Sequence, residues 1–186
     1  MLNRDAPDGN DIDLSDVIVN DVTGTPVRLG DLVVRPTVVD LVRYYGCAPC
    51  RQQLMALGAR YEAIANNGGD VIGIGPRAAY QARLLVDRRH IPFPLLLDPE
   101  HQVGRAVGLG RQPLLRWIFD LRAWGRWLMG LLRAGQGLVT GGWWEVPAIL
   151  VLDGNCRVRW SHLGRSMGDY PPITETLAHL ERVIDR

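Results

Sequence analysis

Apolar stretches along this chain are short and separated by turn-forming residues. Residues 17–20 and 26–29 flank Thr23-Gly24-Thr25 and predict an N-terminal hairpin at a sheet edge. Thr37-Val38-Val39-Asp40-Leu41-Val42 is β-branched and almost continuously apolar, the pattern of a strand covered on both faces. It ends at Tyr44-Tyr45-Gly46-Cys47. Over residues 51–64 the apolar positions take helical spacing, which stops at Asn66-Asn67-Gly68-Gly69. A strand over 70–74, a helix over 78–89 and a short strand over 94–97 follow. Asp98-Pro99-Glu100 then reads as an N-cap with proline at the first helical position. Near the C-terminus, residues 148–152 form a buried-type strand, Asp153-Gly154-Asn155 a turn, 158–163 its returning partner, and 173–184 an amphipathic helix.

Strands alternating with helices, then a hairpin and a closing helix, predict an α/β sandwich: a central mixed sheet flanked by helices, in one domain over residues 1–186. Residues 111–142 break the alternation and predict one long inserted amphipathic helix. At 100° per residue Arg111, Arg122, Arg126 and Arg133 fall within about 60°, with Leu114, Trp117, Leu121, Trp124, Leu128 and Leu131 on the opposite side. Its apolar face can pack on the core as a lid, dock a substrate or partner, or touch a membrane surface. A membrane is not an expected partner, and a transmembrane span least of all, since each arginine would cost about 2.5–3.5 kcal/mol at the bilayer centre.

Composition narrows the chemistry. The 21 basic and 20 acidic residues leave a net charge of +1, and every basic residue is arginine. Mechanisms that need a lysine amine, such as a Schiff base or a Walker-type phosphate clamp, are excluded. Without a basic excess, nucleic acid is not expected as a partner. Residues 1–13 carry Asp5, Asp8, Asp11 and Asp13 and no apolar run, so an acidic leader and a cytoplasmic location are expected rather than a secretory signal. Three cysteines are too few, and odd in number, for a secreted disulfide scaffold.

The chemistry therefore centres on Cys47-Ala48-Pro49-Cys50, at the junction of a buried strand and a helix. In an alternating strand and helix pattern this is the thioredoxin-like redox reading of CxxC. A cysteine at the start of a helix faces unpaired N–H groups and the positive end of the dipole, which favour its thiolate. Cys50, one turn further in, can attack a mixed disulfide on Cys47 and release product. Pro49 is tolerated so early in a helix. Two other readings are open: half of a zinc site, for which Cys156, His162, His90 and His101 show no second paired spacing, or two incidental buried cysteines. The dithiol itself calls for no cofactor.

The stretch Val42-Arg43-Tyr44-Tyr45-Gly46-Cys47-Ala48-Pro49-Cys50-Arg51 resembles the active-site segment of peroxiredoxin-like proteins of the alkyl hydroperoxide reductase/thiol-specific antioxidant superfamily. It is especially similar to the branch that includes prostamide/prostaglandin F synthase. The resemblance extends through Asp98-Pro99-Glu100, Arg105-Ala106-Val107-Gly108-Leu109, Gly141-Gly142, His162 and Gly168-Asp169-Tyr170-Pro171-Pro172. It implies a thioredoxin-like fold, Cys47 as nucleophile, Cys50 as resolving thiol, a thioredoxin-like electron donor and a small hydrophobic peroxide or protein disulfide as substrate. A non-catalytic redox-sensing or partner-binding module is the alternative.

The chain departs from the family pattern at two positions. Peroxiredoxins usually carry proline seven residues and threonine or serine three residues before the reactive cysteine; Asp40 and Tyr44 stand there, so weak activity on hydrogen peroxide is expected. Tyr44 can still offer a hydroxyl. Arg43 can supply charge to the thiolate, or be a solvated strand-end arginine. Asp40 is either a buried proton acceptor for the second thiol or a solvent-facing strand residue. Val146-Pro147 stands where thioredoxin-like proteins place a cis-proline beside the dithiol, and a cis bond is expected. Cys156, after the hairpin turn, is expected to be a bystander.

Overall fold

The computed structural model describes residues 12–111, 120–140 and 145–186. Seven strands form one mixed sheet: β1 (Ile18–Asn20), β2 (Pro26–Arg28), β3 (Thr37–Leu41), β4 (Asp70–Gly75), β5 (Leu95–Leu97), β6 (Ala148–Leu152) and β7 (Val158–Leu163), in the order β2-β1-β5-β4-β3-β6-β7. β3, β4 and β5 run parallel through helical crossovers, and β6 and β7 add antiparallel on the other side of β3. As expected, the N-terminal hairpin lies at an edge, where Asn20 of β1 reaches Leu97 of β5.

β3 lies between β4 and β6 and is buried throughout. Strand alternation divides its side chains between two cores. Val38 joins Leu54, Leu57, Ile149 and Leu180 on one side; Val39 and Leu41 join Ile72, Ile74 and Leu150 on the other. The first layer holds the helices α2 (Ala48–Gly58), α3 (Tyr61–Asn66) and α4 (Ala79–Arg89) and the closing helix α7 (Ile173–Ile184). The second core takes up Leu29 from the short helix α1 (Leu29–Leu32) and Val103 from α5 (Gln102–Ala106).

Three sequence expectations are corrected. The helix expected over 51–64 starts earlier, at Ala48, and is two helices, because the chain turns at Ala59-Arg60, directly after Gly58, a poor helix former. Asp98 does cap a helix, accepting from the backbone N–H groups of Gln102 and Val103 at 2.9 Å each. It does so across a turn closed by His101, so Pro99 is not the first helical residue. The inserted helix, α6 (Leu121–Ala134), is shorter than expected: the Asp120 side chain accepts from Ala123 N at 2.9 Å at its start, and Gly135 at φ 70° ends it. Arg111 is not on it but forms an isolated antiparallel bridge with Glu145. Leu114, Trp117 and Gly141-Gly142, like most of the acidic leader, lie outside the described residues. Among the described residues no helix is long and apolar enough to cross a membrane.

Candidate active site

The turn from β3 into α2 is fixed from below. Tyr45 is buried, with its hydroxyl 2.5 Å from Leu96 O and 3.1 Å from Gly73 O, and its ring lies so close to Gly75 that any Cβ there would meet it at 2.7 Å. Cys47 follows as the N-cap of α2 in an extended conformation, and Cys50 stands one turn in. Both thiols are free and buried, at 1% and 0% exposure.

Arg43 is not a solvated strand-end residue. It is 3% exposed, its Nε donates to Glu145 O at 2.6 Å, and its Nη1 lies 3.7 Å from Cys47 Sγ. Burial pushes the Cys47 thiol up, but the Cys50 thiol, the Arg43 charge and the Cys50 backbone N–H outweigh it, and its pKa falls to about 7. Cys50 moves the other way: burial and the adjacent Cys47 hold its pKa well above the ordinary value. The pair is thus divided into one acidic and one reluctant thiol.

Asp40, the acid in the apolar strand, is fully buried rather than solvent-facing. Alternation places it on the α2 side, and neither carboxyl oxygen has a hydrogen-bond partner among the described residues. Burial raises its pKa well above the ordinary value, the neighbouring Cys50 adds to this, and the Tyr170 hydroxyl opposes it. Tyr170, also without a hydrogen-bond partner, shares this enclosed space with Asp40 and the two thiols.

A cover closes over the dithiol. α6 lies across the first turn of α2 so tightly that a Cβ on Gly130 would stand 2.7 Å from Pro49 N and 2.8 Å from Ala48 C. The seam consists of Ala123, Gly130 and Ala134. Arg126 ties the helix down, donating to Ser166 Oγ at 2.5 Å and Met167 O at 3.1 Å. Beyond the helix, Gly137 N donates to Gly46 O at 2.7 Å. Gln136 joins the parts: its Oε1 accepts from Ala48 N at 3.1 Å and from Trp127 Nε1 at 3.3 Å, and its Nε2 donates to the Tyr44 hydroxyl at 3.2 Å. Both partners of Oε1 are obligate donors, which fixes the amide's orientation. The Tyr44 hydroxyl is therefore engaged with the cover, and burial and the nearby Cys47 push its pKa up to about 12.

Of the expected site residues, Arg43, Tyr44, Cys47 and Cys50 come together. Pro147 is buried beside the start of β6, but the described residues contain no cis peptide bond, so the expected cis Val146–Pro147 bond is trans. Pro147 O accepts from Gly164 N at 2.9 Å, and a trans proline here simply opens a strand, where no ladder N–H is required. Cys156 lies in the opposite core, with burial pushing its pKa up to about 12. His162 pairs with Asp169, and His101 with Glu145. A cavity of about 150 Å³ at the ends of β3 and β4 is lined by Arg43, Asp98, His101, Arg105, Arg111 and Glu145, and its lining includes neither Cys47 nor Cys50. Gln136 was missed from sequence and carries no local signal. Tyr170 stood in a quoted motif without a role.

This strand–dithiol–helix geometry can be compared with known proteins. A family model described as AhpC/TSA family matches residues 8–161. The chain belongs to the AhpC/TSA family. Its fold is thioredoxin-like and similar to solved peroxiredoxins, including peroxidoxin BcpB from Mycobacterium tuberculosis (18% identity, 92% of this chain and 95% of that one, TM-score 0.66). Peroxiredoxin Q from Xanthomonas campestris is similar at 13% identity, covering 93% of this chain and 92% of that one, with TM-score 0.64. A putative thiol:disulfide interchange protein DsbE from Chlorobium tepidum shares 18% identity over 97% and 99% of the two chains, with TM-score 0.57. No curated protein sequence matches the chain.

Proposed function

We propose that this AhpC/TSA protein is a dithiol-dependent peroxidase, with Cys47 as the attacking thiol and Cys50 as the resolving one. The observation that carries this reading is the Arg43 guanidinium 3.7 Å from Cys47 Sγ, with the reluctant Cys50 thiol one turn away. The Cys47 thiolate attacks the outer oxygen of a hydroperoxide, the O–O bond breaks, and the alkoxide leaves as an alcohol after taking up from solvent the proton that Cys47 released on ionising. Cys47 is then a sulfenic acid. Cys50 attacks its sulfur, forming the Cys47–Cys50 disulfide, and the hydroxyl departs as water with the Cys50 proton. A thioredoxin-like dithiol returns two electrons by attacking Cys47, and Cys50 leaves as a thiolate. Asp40, whose buried carboxyl keeps its proton to higher pH than an ordinary carboxylate, supplies the proton Cys50 then needs.

The same pair would act on a protein disulfide by exchange, and the likeness to a thiol:disulfide interchange protein keeps that second reading in view. Tyr44 and Asp40, where peroxiredoxins usually carry a hydroxyl residue and proline, support a preference for organic over hydrogen peroxide and fit the prostamide/prostaglandin F synthase-like branch. The test is turnover of cumene hydroperoxide, hydrogen peroxide and a model protein disulfide with a thioredoxin-like donor. Cys47→Ser abolishes turnover, and Cys50→Ser leaves a Cys47 sulfenic acid that dimedone captures. Wild-type rates in both variants would sink the reading, and a disulfide turned over faster than either peroxide would favour the second.

A further inference from the structure

α6 packs on the dithiol helix through its small residues, and its large apolar side chains point the other way. Leu121, Leu128 and Leu132 are 84%, 51% and 73% exposed. At 100° per residue they lie within about 40° of one another, bordered by Trp124 and Met129, on a helix about 21 Å long. Gly130 makes the contact with α2, and Ala123 and Ala134 are buried with it on the side of the helix away from this stripe. Exposed apolar positions continue past the helix at Leu138 and Val139. Arg122, Arg126 and Arg133 fall within about 40° of one another along one border of the stripe. No aspartate or glutamate occurs between Leu121 and Thr140.

We propose that this face of α6 is a docking surface for an anionic phospholipid bilayer, on which the helix lies in the plane of the head groups. Apolar side chains on one face, a tryptophan at its border and the flanking Arg122 and Arg133 are what an interfacial helix needs, because the acyl region takes the leucines and the phosphates take these two guanidinium groups; Arg126 is engaged by Ser166, Met167 and, at 4.0 Å, the N-cap Asp120. The stripe is a convex row of large side chains with no polar group to impose a direction, which suits a fluid apolar medium better than a shaped protein pocket. The helix is too short and too charged to span, so it lies on the surface. The docking stands on this face alone. That its consequence is access to peroxides carried by membrane lipids rests on the thiol-peroxidase reading above.

The test is cosedimentation of the full chain with phosphatidylcholine vesicles, with and without phosphatidylglycerol, at low and high salt. The wild type is expected to partition onto the phosphatidylglycerol vesicles and to be released by salt. Leu121→Asp/Leu132→Asp, at exposed positions, is expected to weaken that partition by about tenfold or more while leaving thermal unfolding and turnover of a soluble hydroperoxide unchanged. Arg122→Glu/Arg133→Glu is expected to lose the preference for phosphatidylglycerol. No partition at low salt, or equal partition of the wild type and Leu121→Asp/Leu132→Asp, would overturn the proposal. So would a lipid-free dimer that Leu132→Asp dissociates, which would assign the face to a second copy. Binding is read without turnover, so a failed peroxidase reading would leave this result standing.

Discussion

Replacing Arg43 by methionine keeps much of the apolar stem and removes the charge beside Cys47. At 3.7 Å, and with an effective dielectric of about 20, the attraction between guanidinium and thiolate is about 4.5 kcal/mol. The Cys50 donors remain and water takes the vacated space, so about half survives as a net loss. Two kcal/mol corresponds to about 1.5 pH units at about 1.36 kcal/mol per unit. The Cys47 midpoint should therefore rise from about 7 to about 8.5. Rate alone is a poor readout. The thiolate fraction at pH 7 falls from about one half to about 3%, but a more basic thiolate is intrinsically about fivefold more nucleophilic for a Brønsted slope of about 0.45. Iodoacetamide should alkylate Cys47 about threefold to fourfold more slowly in Arg43→Met at pH 7 and about as much faster at pH 9. Mass-resolved alkylation across this range, or the thiolate ultraviolet absorbance, gives the midpoint. A midpoint still near 7 would refute the assignment of Arg43 as the group that holds Cys47 ionised.

Asp40→Asn should stabilise the protein at neutral pH. The native carboxyl titrates well above its ordinary value of 3.8, so as pH rises the unfolded chain loses this proton first and the native state loses stability until its own pKa is passed. Asparagine has no such dependence, so the gain should be absent below pH 3.8 and grow as the pH rises above it, measured by urea melts across that range. On the proposed mechanism the same variant regenerates its dithiol more slowly. Gly130→Ala should destabilise: helix propensity offers about 1 kcal/mol, but the new methyl meets immovable backbone at 2.7 Å, an overpacking cost of about 1–3 kcal/mol. Cys47 alkylation should quicken as α6 lifts. Gly125→Ala, with nothing within 4 Å of its Cβ, should instead stabilise by about 0.5–1 kcal/mol in the same melts.

The strands, the edge hairpin and the helices around the CxxC were legible because each depends on a local period or turn. Cys47 and Cys50 were legible as a pair because three residues of helix bring them together. The state of that pair was not. Arg43 and Asp40 could each have faced solvent; the register of β3 between β4 and β6 closes off Asp40, and Arg43 is taken up by Glu145 O and Cys47 from distant and local segments. Gln136 reaches Ala48 across 88 residues of sequence, a contact no local pattern announces. The orientation of α6 is open in the pattern, which lets the apolar face pack on the core or dock elsewhere. Close approach of two helices is made by small residues. Backbone contact with Ala48 and Pro49 selects Gly130 and turns the leucines outward.

Gln136 has one more implication. Its carbonyl takes up Ala48 N–H, a donor at the head of the dithiol helix, and its amide holds Tyr44. While the cover is shut, that helix terminus is partly neutralised and both sulfurs are sealed. Any displacement that withdraws Gln136 returns an N–H group to the positive end of the helix and frees the Tyr44 hydroxyl at the same moment. The position of the cover and the acidity of the Cys47 thiol are thereby linked through one side chain.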